Sequence, residues 1–186
     1  MEKPLVRGEK IIISKFEDSL QSFILDFSCP HRQEDIFDVD VFAFMINGQN
    51  QVAKKNIIFY NQPMSTCGSL AYHGDQDHKK MKKTFTVDLK KVPANIEKIA
   101  FACSFYKEMS KEKHIIYPKI CLQVYDKIMN EAVFELEEEV DLINSKSMIF
   151  GDIYRYKGNW KFNTVKYQHQ EHLLYWMREI YTLYII

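Results

Sequence analysis

Residues 37–52 read FDVDVFAFMINGQNQV. Val41, Ala43 and Met45 alternate with their neighbours at the period of a β-strand, in which successive side chains point to opposite faces. The other face of the same strand begins with Asp38 and Asp40 and continues as Phe42, Phe44 and Ile46. The two acids therefore stand together where the strand emerges from a core. NGQN at 47–50 then puts a glycine between apolar runs, where a hairpin needs a positive φ.

The same alternation recurs at Phe23, Leu25 and Phe27, at Phe85, Val87 and Leu89, and at Ile99, Phe101 and Cys103. Further strands are expected in KIIIS at 10–14, NIIFY at 56–60, ICLQVYD at 120–126, EAVFEL at 131–136, MIFGDIYRY at 148–156 and WKFNTV at 160–165, with a second hairpin at KGN, 157–159. About ten strands predict a mostly β chain folded as a two-sheet β-sandwich. The period changes only near the end, where Leu173, Met177, Ile180 and Tyr184 share one helical face. The expectation is one domain over 1–186, with a sandwich core from about residue 5 to 165 and a C-terminal helix at about 168–183. The charged runs at 107–113 and 135–141 are expected on the surface as loops or strand margins.

The chain has 186 residues, 46% of them hydrophobic, with only 6 Gly and 5 Pro, so it can bury a substantial core. Lys and Arg total 25, matched by 25 Asp and Glu. That balance leaves no global field for nucleic acid, and a charge-driven partner must be met by a local patch. MEKPLVRGEK carries charges where a signal peptide needs an apolar stretch, and no run reaches the roughly 18 apolar residues of a spanning helix. A cytoplasmic protein with no membrane span is expected. Cys29, Cys67, Cys103 and Cys121 form no C-x-x-C pair, which predicts reduced, structural thiols.

HGDQDHKKMKKTFTVDL, residues 73–89, is acidic at Asp75 and Asp77 and then basic at Lys79, Lys80, Lys82 and Lys83. Asp38 and Asp40 facing a loop with Asp75 and Asp77 could hold calcium, which takes six to eight oxygens at about 2.3–2.6 Å. Neither segment has EF-hand spacing.

RGEKIIISK, FDVDVFAF, IIFYNQP, GSLAYHGD, VDLKKVPANIEKIAFACS and MIFGDIYRYKGNWKF, in that order, closely resemble the TerD family of tellurium-resistance and general stress-response proteins. The likeness runs from about Leu5 to Val165. It implies a β-sandwich, and it implies calcium binding through an acidic loop of the form GDN-x-TG-x-G-x-x-DDE. Gly74 and Asp75 match the start of that loop, and Asp38 and Asp40 match a D-x-D strand of the family. The likeness then breaks: the T-G pair is missing, and the family's D-D-E falls on Met81, Lys82 and Lys83. A lysine beside a calcium site repels the ion. Cys29 and Pro30 stand roughly where the family has a Trp-Asp pair. The tail lacks the family's GY-x-GGL segment and carries Trp176, Tyr181, Tyr184, Ile185 and Ile186 instead.

His73 and His78 flank the two aspartates and would suit a transition metal, although a polar surface loop explains them as well. His169 and His172 are placed near the start of the helix, three residues apart, as surface residues. No G-x-S-x-G, Walker or dinucleotide motif occurs, so no catalytic nucleophile, phosphate loop or enzyme activity is nominated. The resulting expectation is a non-enzymatic TerD-like binding module with weakened or lost calcium binding. One alternative keeps one weak calcium site at Asp38, Asp40, Asp75 and Asp77. Another, of a different class, uses the Lys79–Lys83 patch to bind nucleic acid or acidic partners, with nucleic acid disfavoured by the zero net charge. Expected partners are proteins of the same stress-response system, or a second copy docking through the C-terminal helix.

Overall fold

The computed structural model describes residues 5–15, 21–29, 37–74, 82–107, 118–181 and 184–185. Its strands are β1 (Lys10–Lys15), β2 (Ser22–Ser28), β3 (Phe37–Asn47), β4 (Gln51–Val52), β5 (Ile57–Ile58), β6 (Leu70–Gly74), β7 (Lys82–Asp88), β8 (Ile96–Lys107), β9 (Lys119–Asp126), β10 (Ala132–Glu139), β11 (Ser147–Tyr156) and β12 (Asn159–His169). They are followed by one helix, α1 (Leu173–Ile180), and a short strand, β13 (Tyr184–Ile185). A six-stranded sheet runs β1-β12-β11-β8-β3-β5 and a five-stranded sheet runs β10-β9-β2-β7-β6. Within both sheets the pairings are antiparallel. The expected mostly β, two-sheet architecture is what forms.

Alternating residues from both sheets fill the space between them. Phe23, Leu25 and Phe27 of β2, Phe85 and Val87 of β7, and Phe101 and Cys103 of β8 all lie in one buried cluster. Phe27 meets Phe150 edge to face at 5.1 Å between ring centres, and Phe85 meets Phe101 at 5.8 Å, the geometry aromatic quadrupoles favour. β11 carries an irregularity between Ile149 and Gly151 against both neighbours. A Cβ on Gly151 would come within 2.4 Å of Phe162 Cζ and 2.5 Å of the Asn163 carbonyl oxygen, so only glycine fits there.

A second buried cluster lies on the outer side of the six-stranded sheet. Phe44, Ile46, Ala100, Ala102 and Ile149 are covered there by Leu173, Met177 and Tyr181. Tyr184 and Ile185 continue from the helix as a parallel pairing with Gln51 and Val52 of β4.

Several expectations are corrected. The helix is shorter than 168–183, because β12 continues to His169, still paired with β11. Tyr184 is on a strand, not on the helical stripe, and His169 and His172 do not share a helix: the first ends β12 and the second is the N-cap of α1. The NGQN turn forms, with Asn50 N–H donating to the Asn47 carbonyl at 3.0 Å, but the residue with positive φ is Asn50, not Gly48, and β4 beyond it pairs with β13 instead of folding back on β3. At the second turn Lys157 and Gly158 both have positive φ between directly paired strands, as a two-residue hairpin of right-twisting strands requires. The acidic run at 135–141 begins inside β10, and Cys67 lies in a turn.

Candidate functional site

Asp38 and Asp40 do project to one face of β3, the outer face of the six-stranded sheet, with Asp38 exposed and Asp40 half-buried. Register brings Tyr106 opposite Asp38 and Ser104 opposite Asp40 on β8. On the other sheet, Tyr72 pairs with Phe85, and Gly74 pairs with Lys83. Lys83 follows the inward phase of Phe85 and Val87 along β7 and is half-buried near the start of that strand.

The electrostatics tie these groups into one site. Burial raises the Asp40 carboxyl above its ordinary range, Asp38 raises it further, and the Lys83 ammonium opposes both. The Tyr72 phenol is pushed up to about 12, first by burial and then by Asp40 and Asp38. Tyr106 is also raised, by burial and then by Asp40, with a hydrogen bond to Ser104 opposing and with Tyr60 and Asp38 adding to the rise. Asp38 Oδ1 accepts a hydrogen bond from its neighbour's backbone, Val39 N–H, at 2.8 Å. The result is two carboxylates whose field reaches three tyrosines directly or through one another, with the Lys83 ammonium of the other sheet acting on Asp40 through its charge.

Of the sequence-predicted metal ligands, Asp38 and Asp40 are thus brought together, whereas Asp75 and Asp77 lie outside the described residues, as do His78, Lys79, Lys80 and Met81. Among the described residues no group of three or more His, Cys, Asp or Glu side chains is placed to hold a metal. Calcium needs a shell of oxygens with surplus negative charge, and the described donors fit it poorly, because Lys83 already sets a positive charge against Asp40. His73 turns away to the outer face of the five-stranded sheet, where its Nε2 is 3.2 Å from Thr86 Oγ1. Lys82 turns the same way and pairs with Asp26 at 2.9 Å, so the two adjacent lysines serve different faces.

Tyr72, Tyr106 and Tyr60 were missed by sequence reasoning. The signal for Tyr106 was the β3–β8 register, which single-strand periodicity does not carry. Cys67 was also underrated: burial pushes its thiol up, yet hydrogen bonds with Ser65 and Ser69 and with backbone N–H groups outweigh that and leave it below the ordinary thiol value. Its sulfur lies 3.0 Å from Ser69 Oγ. Cys103 is fully buried, and its thiol is raised well above the ordinary value, first by desolvation.

The chain is 27% identical over 178 residues to the tellurium resistance protein TerD of Serratia marcescens, covering 89% of this chain and 90% of that one. It is 25% identical over 173 residues to general stress protein 16U of Bacillus subtilis (strain 168), covering 87% and 88%. A crystal structure of a homologue of telluride resistance protein (TerD) from Streptomyces coelicolor A3(2) superimposes with a TM-score of 0.61 at 9% identity, covering 89% of this chain and all of that one, a likeness of fold. With the TerD domain model matched across residues 1–178, the chain belongs to the TerD domain family.

Proposed function

We propose that this chain is a non-enzymatic, cytoplasmic stress-response and tellurium-resistance module that works by binding, and that its calcium affinity is weakened or lost. The observation that carries this reading is Lys83, a residue of the other sheet whose ammonium opposes the field at Asp40. A tethered cation takes part of the charge compensation a bound ion would otherwise supply, without requiring the ion. The relatives' names supply the physiological setting of stress and tellurium resistance. No helix among the described residues is long and apolar enough to cross a membrane.

Thermal melting with and without calcium tests it. A ligand that binds only the native state at 100 times its Kd stabilises it by about 2.7 kcal/mol. The expected outcome is a negligible shift for the native sequence and a clear upward shift for Lys83→Glu. A rise of many degrees at micromolar calcium in the native sequence would overturn the proposal. It would favour the second reading, in which Asp38, Asp40, Asp75 and Asp77 retain one ion. That reading draws support from the Asp40 carboxyl, which burial and Asp38 hold above its ordinary range despite Lys83, a position a cation would relieve.

Partners within the same stress response, including a second copy of the chain, fit the exposed side of α1. Leu173 and Met177 are buried on the chain's own sheet, whereas Leu174 and Tyr175 are 46% and 55% exposed.

A further inference from the structure

A second charged surface lies on the same sheet face as Asp38 and Asp40, at the end bounded by the β11–β12 hairpin. Register lines up Ile12 of β1 with Lys161 of β12, Lys161 with Tyr154 of β11, and Tyr154 with Lys98 of β8. The next row places Lys10 beside Asn163 and Asn163 beside Asp152. Cross-strand partners share a face, so Lys10, Lys98 and Lys161 project together although they come from distant parts of the chain. Lys157 joins them from the hairpin turn, with its Nζ 5.4 Å from the centre of the Tyr156 ring, while Lys161 Nζ is 4.1 Å from the same ring. Lys98 Nζ lies 4.7 Å from the Tyr181 ring.

Among the described residues none of these four lysines is in an ion pair. The carboxylate that shares their face, Asp152, is buried and accepts a hydrogen bond from Tyr181 Oη at 2.9 Å. On a chain of zero formal net charge, four ammonium groups on one sheet end, of which Lys98 and Lys10 act on the single buried carboxyl of Asp152, form a local positive field. Apolar surface is interleaved with it: Ile12 is 53% exposed and Tyr156 is 43% exposed.

We propose that this face is a docking surface for an acidic, partly apolar segment of a partner protein. Charge complementarity selects the acidic component and Ile12 with Tyr156 selects the apolar one. Lys161 and Lys98 lie two strands apart, about 10 Å at backbone level, close enough for two long side chains to engage neighbouring carboxylates of one extended segment. A nucleic acid fits less well. The Tyr156 ring already carries two lysines, and Tyr154 meets it at 6.5 Å, so a base would have to displace an ammonium to stack there, whereas an aliphatic side chain can meet the exposed ring edge. Arg155, the guanidinium suited to gripping a phosphate in two places, is turned inward, donating to the Ile96 and Val92 carbonyls and lying over the Trp160 ring.

The test uses the full chain and three fluorescent probes: a synthetic peptide alternating glutamate with leucine, a polyglutamate peptide of equal length, and a single-stranded oligothymidylate. The alternating peptide is expected to bind most tightly. The double variant Lys10→Glu, Lys161→Glu should weaken it about tenfold or more, while Ile12→Ser should weaken the alternating peptide and leave polyglutamate unchanged. Melting curves identify a variant that has failed to fold; for such a variant Lys10→Gln, Lys161→Gln replaces it. Tighter binding of the oligothymidylate than of either peptide, undiminished binding by the charge variant, or no binding of the alternating peptide would each overturn the proposal.

Discussion

The outer faces of the two sheets are built on opposite plans. On the five-stranded sheet the outward residues of β2, β7 and β9 are mostly polar: Asp26 accepts from Thr84 Oγ1 at 2.6 Å and pairs with Lys82, and Gln123 donates to Glu135 at 3.0 Å. On the six-stranded sheet the central outward residues are Phe44, Ile46, Ala100, Ala102 and Ile149, sealed beneath α1. A sheet buried on one face alternates, whereas a sheet buried on both faces reads as a continuous apolar run. The difference shows that the six-stranded sheet holds its apolar outer surface only because the C-terminal segment returns to cover it.

Substitutions can break this contrast at graded strength. Met177 is fully buried against the outer cluster, so Met177→Ala should cost about 2–5 kcal/mol in urea unfolding. A smaller loss would mean that the helix is a loosely held cover. Asp152 and Tyr181 sharpen the comparison through pH. Burial raises the Asp152 carboxyl above its ordinary range, with Lys98 and the Tyr181 hydrogen bond opposing. Between the unfolded value of about 3.9 and the higher folded value, the folded chain binds more protons than the unfolded one. This group's contribution therefore falls as pH rises through that window. Asp152→Asn should flatten the decline relative to the native sequence, and a steeper decline in the variant would reverse the assignment. The smallest effect belongs to the wet face: Lys82→Ala removes an ion pair with a half-exposed lysine and should cost no more than about 1 kcal/mol.

The contrast also explains what sequence could reveal. SFILDFS at 22–28 alternates because one face is wet, and its strand was readable from periodicity alone. In β11, SMIFGDIYRY is buried continuously from Ser147 to Ile153, and its strand character rested on flanking turns and β-rich composition. The helix limits were misjudged because residues 167–169 are held in β12 by pairing with β11, a tertiary contact that overrides local pattern. At the candidate site, Asp38 and Asp40 were legible as neighbours on one strand face, whereas Tyr106 reaches them through the β3–β8 register and Tyr72 and Lys83 belong to the other sheet. The lysines of the hairpin end were invisible for the same reason.

The pairing of Tyr184 and Ile185 with Gln51 and Val52 has a consequence for synthesis. During translation, residues 173–185 follow every strand of both sheets. At roughly 5–20 residues per second, a ribosome adds them on the order of a second or two after β12. Until those residues dock, a chain whose sheets have paired leaves Phe44, Ile46 and Ile149 open to water. Exposed apolar surface of this kind is what chaperones bind and aggregates grow from. Truncation before Leu173 would make that transient state permanent.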